Sequence, residues 1–203
     1  MKTIDLTGKT AVVTGASQGL GRAIAEQLHA AGANVVVNYA CFENDNGQNQ
    51  RQAEAVVDQL GERALAIAAD VRDASAVAKM FDQAEQHWHQ IDIVVNNAGI
   101  TRDRALKNMA HEDWQTVVDT NLNGVFHVCQ AAAKRLADEG RIVNISSLSA
   151  FIGVFGQANY AASKAGVAAL SKVLSRELAK RKITVNTISP GLVLTEMGKA
   201  TPD

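Results

Sequence analysis

Tyr160 and Lys164 stand four positions apart in Asn159-Tyr160-Ala161-Ala162-Ser163-Lys164, a stretch that reads as helix, so a phenol and an ammonium share one helical face. Such a pair can make a phenol into a working acid. A free tyrosine loses its proton only near pH ~10, and a fixed positive charge close by favours the phenolate and lowers that value. Tyr160 is therefore the first candidate for proton transfer. Taken singly, the pair is also what an ordinary amphipathic surface helix displays, so its meaning depends on what converges beside it.

The elements that must hold these residues follow from the apolar pattern. Short runs rich in Val and Ile alternate with longer amphipathic stretches, as in a parallel sheet wrapped in helices. Strands are expected at residues 10–14, 34–38, 64–68, 91–96, 141–146 and 184–189, and helices at 19–31, 50–60, 75–88, 111–137 and 159–180. That alternation predicts an α/β fold with a doubly wound parallel sheet ordered 3-2-1-4-5-6 and right-handed crossovers, in a single domain over residues 1–203. The polar segment 41–50 is long for a strand-to-helix connection and is expected to be a mobile loop.

Composition narrows the partners. The chain has 203 residues, 47% hydrophobic and 20% charged, enough for one sizeable core. Lys plus Arg number 20 against 21 Asp plus Glu, so no basic excess invites nucleic acid or anionic lipid, and small molecules are the expected partners. Cys41 and Cys129 give no disulfide framework, the first residues carry charges where a signal peptide is apolar, and no stretch is long enough to span a bilayer. A soluble cytoplasmic protein is expected. His87 and His89 are two apart and point to different sides of a helix; His29, His111 and His127 read as surface or interface residues, so no catalytic metal is expected.

Where the first strand ends, Thr14-Gly15-Ala16-Ser17-Gln18-Gly19-Leu20-Gly21 leads into a helix. Glycines there let the chain turn sharply and let a pyrophosphate approach the helix N-terminus, whose amides and dipole favour an anion. A plain tight turn would use glycine too. However, Asn96-Asn97-Ala98-Gly99 ends the fourth strand, Ser146-Ser147 the fifth and Pro190-Gly191 the sixth, and the crevice of an open α/β sheet lies outside the carboxyl ends of its strands. These segments and the glycine turn are expected to converge on one cleft.

Together these residues resemble the short-chain dehydrogenase/reductase family, from about Leu6 to Met197: Thr14-Gly15-x-x-x-Gly19-x-Gly21, Asp70-Val71, Asn96-Asn97-Ala98-Gly99, Asn121, Ser147, Tyr160-x-x-x-Lys164 and Pro190-Gly191-x-x-x-Thr195-x-Met197. Within it, Gly99-Ile100-Thr101-Arg102-Asp103 and Gly156-Gln157-Ala158-Asn159-Tyr160 are similar to the 3-oxoacyl-[acyl-carrier-protein] reductases and acetoacetyl-CoA reductases. The resemblance implies hydride transfer between a nicotinamide and a carbonyl carbon, with Tyr160 giving the proton, Ser147 holding the carbonyl oxygen, Lys164 lowering the phenol pKa and holding the ribose, and Asn121 kinking its helix and ordering a water that links Lys164 to solvent. It implies cofactor contacts from Gly15, Ser17, Gln18, Gly19, Leu20 and Gly21, from Asn38 and Tyr39, from Asp70 and Val71, from Asn97, Ala98 and Gly99, from Tyr160 and Lys164, and from Pro190, Gly191, Val193 and Thr195.

The end of the second strand, Asn38-Tyr39-Ala40, has no carboxylate to grip ribose hydroxyls, which leaves room for NADP, and the resemblance to reductases with this Asn-Tyr-Ala implies NADPH; Gln18 replaces the Arg or Lys of many NADP-dependent relatives, and Arg22 or Arg51 are the substitutes considered. Arg181 between Lys180 and Lys182 keeps one basic patch of the kind that docks acyl carrier protein, while Asp138 and Glu139 place negative charge near the other. The substrate is thus expected to be a 3-oxoacyl thioester on carrier protein or CoA, with another alcohol or ketone as the alternative. The family continues past Thr195-x-Met197 through a substrate-covering helix and a seventh strand, so the chain is expected to be C-terminally incomplete, with weaker turnover if it is not. Residues 111–137 and 159–180 are expected to pair copies into a homodimer or homotetramer.

Overall fold

The computed structural model describes residues 4–42 and 45–193, and within them six parallel strands form one sheet in the order β3-β2-β1-β4-β5-β6. The strands are β1 (Thr10–Val13), β2 (Asn34–Tyr39), β3 (Ala64–Ala68), β4 (Ile93–Asn96), β5 (Arg141–Ile145) and β6 (Thr184–Ile188). The helices are α1 (Gly19–Ala30), α2 (Gln48–Leu60), α3 (Ala74–Trp88), α4 (His111–Val118), α5 (Gly124–Arg135), α6 (Ser149–Ile152) and α7 (Ala158–Glu177). The expected strand order and parallel pairing are both present.

The apolar runs are continuous because the sheet is covered on both faces. Successive strand side chains point to opposite sides. Ala11 and Val13 of β1 therefore join a cluster with Ala25 of α1 and with Ala53 and Val56 of α2. Val12 joins the opposite cluster with Met80 and Phe81 of α3 and Val125 and Val128 of α5. Register keeps the layers aligned, with Val12 opposite Val36 on one side and Val94 on the other. Phe81 is fully buried, and a cavity left by its truncation to Ala would cost about 3–5 kcal/mol.

Three local differences from the sequence reading matter for the site. The helix expected over 111–137, with a kink at Asn121 implied by the family resemblance, is two α-helices, α4 and α5, joined by a π-helical turn at Asp119–Asn123. Wider turns of this kind cluster at functional positions, and this one carries Asn121. A short helix, α6, follows β5, where only a loop was expected. Helix α2 begins at Gln48, so Asn49 and Gln50 are helical and the connection from β2 is shorter than the sequence suggested. Strand β6 is the outermost strand beside β5, and no helix of the described residues is long and apolar enough to cross a membrane.

Candidate active site

The carboxyl ends of the strands open onto a cleft of about 1250 Å³. Its walls include Gly15, Ser17, Gln18, Gly19, Leu20 and Gly21 after β1, Asn38 and Tyr39 at the end of β2, and Asp70 and Val71 after β3. Asn97, Ala98 and Gly99 follow β4, Ser147 follows β5, Tyr160 and Lys164 come from α7, and Pro190, Gly191 and Val193 follow β6. Every site residue expected from sequence lines this one cleft except Asn121, which lies buried behind it, and Thr195, which with Met197 falls outside the described residues.

At one end the glycine turn forms an anion cradle. Gly15 and Gly19 hold φ of 61° and 57°, the left-handed region that glycine alone enters without strain. A Cβ on Gly21 would collide with the Gly15 carbonyl oxygen and Asn97 Nδ2, so α1 can approach the turn only as glycine. Asn97 clamps the turn: its Nδ2 donates to the Thr14 and Gly15 carbonyls, both at 3.0 Å, while the Asn97 and Ala98 amides donate to Thr14 Oγ1 at 3.0 Å. Gln18 makes no side-chain cap and the first turn of α1 carries no acid, which leaves that helix end to an anion. The cradle fits the pyrophosphate of a dinucleotide.

The Asn38 side chain is held by backbone groups. Its Nδ2 donates to the carbonyls of Tyr39, Ile67 and Ala69, and its Oδ1 accepts from the Gly15 amide at 3.3 Å. The carboxamide is spent on tying the glycine turn to β3, so it lines the cleft without reaching for a ligand. The two cations considered for the adenosine end are also engaged elsewhere. Arg22 bonds Glu26 at 2.7 Å and Gln59 at 2.8 Å, and Arg51 bonds the Asn46 carbonyl at 2.7 Å.

The other end of the cleft gathers the candidate proton-transfer residues. Lys164 is 2% exposed, and its Nζ donates to the Ile145 carbonyl at 2.8 Å. Ser146 Oγ donates to the Lys164 carbonyl at 2.8 Å, which pins α7 to the end of β5. Ser147 Oγ accepts from the Ser149 amide at 3.2 Å, the first turn of α6, and its own O–H remains able to donate. Asn121 Oδ1 accepts from the Ile100 amide at 2.8 Å and its Nδ2 donates to the Ile100 carbonyl at 2.9 Å. A Cβ on Gly99 would sit 3.1 Å from Asn121 Oδ1 and 3.4 Å from Lys164 Nζ, so both side chains border the space that glycine leaves.

The electrostatics correct one expectation. Lys164 Nζ lies 5.7 Å from the Tyr160 ring centre, so the pair is adjacent. Yet burial raises the Tyr160 phenol above its ordinary value; the Ser147 hydroxyl opposes that rise and the Asp103 carboxylate adds to it. Burial also pushes the Lys164 ammonium down to about 8. Burial is the largest influence on both groups, and spacing along the chain says nothing about how dry a pair is.

Several site residues were not foreseen. Gln157 Nε2 donates to Asp103 Oδ2 at 2.8 Å, and Asn159 Nδ2 donates to the Arg102 and Asp113 carbonyls at 3.0 and 3.2 Å, bracing the start of α7 against the loop after β4 and the first turn of α4. Two polar residues just before Tyr160 were the available signal. Beneath the site Asn96 Nδ2 donates to Asn144 Oδ1 and Asn144 Nδ2 to Ser171 Oγ, both at 2.8 Å, which locks β4, β5 and α7 together. After β3, Asp70 is held by Arg72: burial alone would raise its carboxyl, but the bonds and charge of Arg72 win and hold it below the usual carboxylate range. No group of three or more His, Cys, Asp or Glu among the described residues converges as metal ligands do.

A doubly wound sheet with this cradle and this Ser, Tyr and Lys cluster is the architecture of one family, and the chain belongs to it: residues 9–203 match the short chain dehydrogenase family. It is an NAD(P)-dependent oxidoreductase acting on CH–OH groups. Among curated relatives, 3-oxoacyl-[acyl-carrier-protein] reductase FabG of Staphylococcus aureus (strain Mu50 / ATCC 700699) is 45% identical over 200 residues, 96% of this chain and 78% of that one. FabG of Escherichia coli (strain K12) is 41% identical over 202 residues, 98% of this chain and 80% of that one. A crystal structure of a dehydrogenase/reductase from Sinorhizobium meliloti 1021 superposes with a TM-score of 0.90 at 39% identity, over 99% of this chain and 79% of that one. A short chain dehydrogenase from Burkholderia cenocepacia J2315 in complex with NADP gives 0.85 at 39% identity, over 95% and 77%.

Proposed function

We propose that the chain reduces the ketone of a 3-oxoacyl thioester to the 3-hydroxyacyl thioester with NADPH, Tyr160 giving the proton. The observation that carries this reading is the meeting of Ser147, Tyr160 and Lys164 with the glycine cradle in one cleft. When bound, the dihydronicotinamide supplies a hydride to the carbonyl carbon. Ser147, its oxygen already accepting from Ser149, turns its O–H to the carbonyl oxygen and stabilises the charge that grows there. That oxygen becomes far more basic than the ketone it came from, and the Tyr160 proton moves to it. A phenol kept protonated by burial suits reduction at neutral pH; the reverse oxidation needs the phenolate. Below its pKa of about 8, Lys164 is an ammonium that supports the phenolate left behind. Asn121 borders the same gap beside Gly99 as Lys164, which supports a part for it in replacing that proton.

NADPH is favoured over NADH because the end of β2 offers no carboxylate to repel a 2′-phosphate, and the NADP complex of the Burkholderia cenocepacia relative supports the choice. The names of the FabG relatives support a 3-oxoacyl substrate. Leu148, Ile152 and Val154 line the cleft and are exposed, which gives an acyl chain an apolar surface. The basic patch considered for a carrier protein is largely neutralised: Arg181 bonds Asp138 and the Ala133 and Leu136 carbonyls, and Lys182 pairs with Glu139 at 2.9 Å. A CoA thioester is therefore the first substrate to try. Pairing of copies through α5 and α7 is supported by Phe126 and Val173, large apolar side chains exposed on those helices; a monomer by light scattering would count against it.

The test is oxidation of NADPH with acetoacetyl-CoA, compared with a panel of small ketones. Acetoacetyl-CoA should turn over best, and Tyr160→Phe should lose at least ~10²-fold in kcat while still binding NADPH. Turnover that survives Tyr160→Phe, or a clear preference for a simple ketone, would sink the reading.

A further inference from the structure

The adenosine end of the cleft lacks the usual reader of the ribose. Asn38 is consumed by backbone groups, Gln18 is uncharged, and Arg22 and Arg51 bond outside the cleft. Among the described residues that line it, the cationic side chains are Arg72, Arg102 and Lys164. Lys164 belongs to the proton-transfer end, and Arg102 precedes Asp103 on the loop braced to the start of α7. Arg72 lies after β3, the strand that pairs with β2 and sets Asn38 opposite Ile67 and Tyr39 opposite Ala68. It is the cation that the topology brings beside the end of β2.

Its geometry is that of a held cation with one edge left over. Asp70 grips one side of the guanidinium: Nε donates to Oδ1 at 3.1 Å and to Oδ2 at 2.9 Å, and Nη2 donates to Oδ2 at 2.6 Å. Nη1 bonds none of the described residues. The guanidinium lies 5.5 Å from the ring centre of Phe42, which follows β2 and also lines the cleft. A planar cation fixed along one edge and against one face loses little rotamer freedom when the remaining edge meets a phosphate. Arg72 also borders a smaller cavity of about 460 Å³ with Asp73, Asp119 and His127, and Asp70 borders both spaces.

We propose that Arg72 is the specificity-determining residue for the cofactor: its Nη1 edge, backed by Asp70 and Phe42, accepts the 2′-phosphate that separates NADPH from NADH. The assignment rests on the NADPH reading above and names the side chain responsible for it. Arg72 discriminates through one charge-assisted contact at the adenosine end, far from Tyr160, so it alters binding and leaves proton transfer alone.

Direct binding separates the two claims. NADPH and NADH are titrated into the wild-type chain, Arg72→Met and Arg72→Lys, following dihydronicotinamide fluorescence, and adenosine 2′,5′-bisphosphate and AMP are compared by thermal shift. Arg72→Met should weaken NADPH about tenfold or more, the value of one charge-assisted hydrogen bond, and leave NADH within about twofold. Arg72→Lys should recover part of the loss, and the bisphosphate should lose its advantage over AMP in Arg72→Met. A wild type that prefers NADPH beside an Arg72→Met that prefers it as strongly overturns this inference and leaves the proposed function standing. Equal weakening of both dinucleotides also overturns it, since the role would then be structural. A wild type with no preference for NADPH overturns the cofactor reading and the inference with it.

Discussion

Replacing Lys164 by Met should stabilise the protein while it destroys activity. The ammonium is fully buried, and its pKa falls from 10.5 to about 8 through burial alone. That difference corresponds to roughly 3 kcal/mol of disfavoured charge, at 1.36 kcal/mol for each tenfold change in proton affinity. Methionine fills a similar volume without a charge, but it gives up the bond from Nζ to the Ile145 carbonyl, worth about 1 kcal/mol. A net gain of about 2 kcal/mol at neutral pH remains, which for a chain of this size raises Tm by about 4–8 °C. The sign with pH is fixed. Below pH 8 lysine is charged in both the folded and unfolded states and the cost is fully present. Between about 8 and 10.5 the unfolded chain binds more protons than the folded one, so wild-type stability gains on the variant as pH rises. The assay is denaturant unfolding of both proteins at several pH values from 7 to 10.5, with NADPH oxidation measured beside it. A Lys164→Met chain less stable than wild type at pH 7, or a gap between the two that does not narrow toward pH 10.5, would refute the claim that the active site holds a desolvated charge at the expense of stability.

Gly21→Ala should harm both the fold and dinucleotide binding, because its Cβ meets the Gly15 carbonyl and Asn97 and must displace the turn; overpacking of this kind costs about 1–3 kcal/mol of stability, readable by denaturant unfolding, and the displaced turn should weaken NADPH in a fluorescence titration. Cys129, which burial pushes up to about 12 between Asn96 and Asn144, should be silent to thiol reagents at pH 8 while exposed Cys41 reacts. A count of one thiol in the native chain and two in denaturant is expected, and two in the native chain would contradict the packing.

Much of this was legible in the residues because the fold is built from repeated local rules. Val-rich runs such as Thr10–Val13 and Asn34–Tyr39 can be apolar at consecutive positions only if both faces are covered, and that requirement predicts parallel strands between helices. The glycine turn is readable because positive φ and close approach both demand the residue type. The interruption at Asp119–Asn123 was not visible in periodicity, since one widened turn shifts the pattern by a single residue; only the family resemblance implied a kink at Asn121, whose carboxamide is bonded in the structure to the Ile100 backbone.

The limit lies between residue type and residue environment. Spacing along the chain was enough to bring Ser147, Tyr160 and Lys164 to one sheet edge, because strand order and crossover handedness leave few places for the ends of strands to go. Whether a polar side chain at that edge meets a ligand or the backbone depended on contacts between segments distant in sequence. Asn38 turned inward to Ile67 and Ala69, Arg181 closed the end of α5, and Arg72 came to rest between Asp70 and Phe42. Water is excluded by the assembled core and not by neighbours in the chain, so the burial that raises the Tyr160 phenol and lowers the Lys164 ammonium arises only when the sheet and α7 close around them.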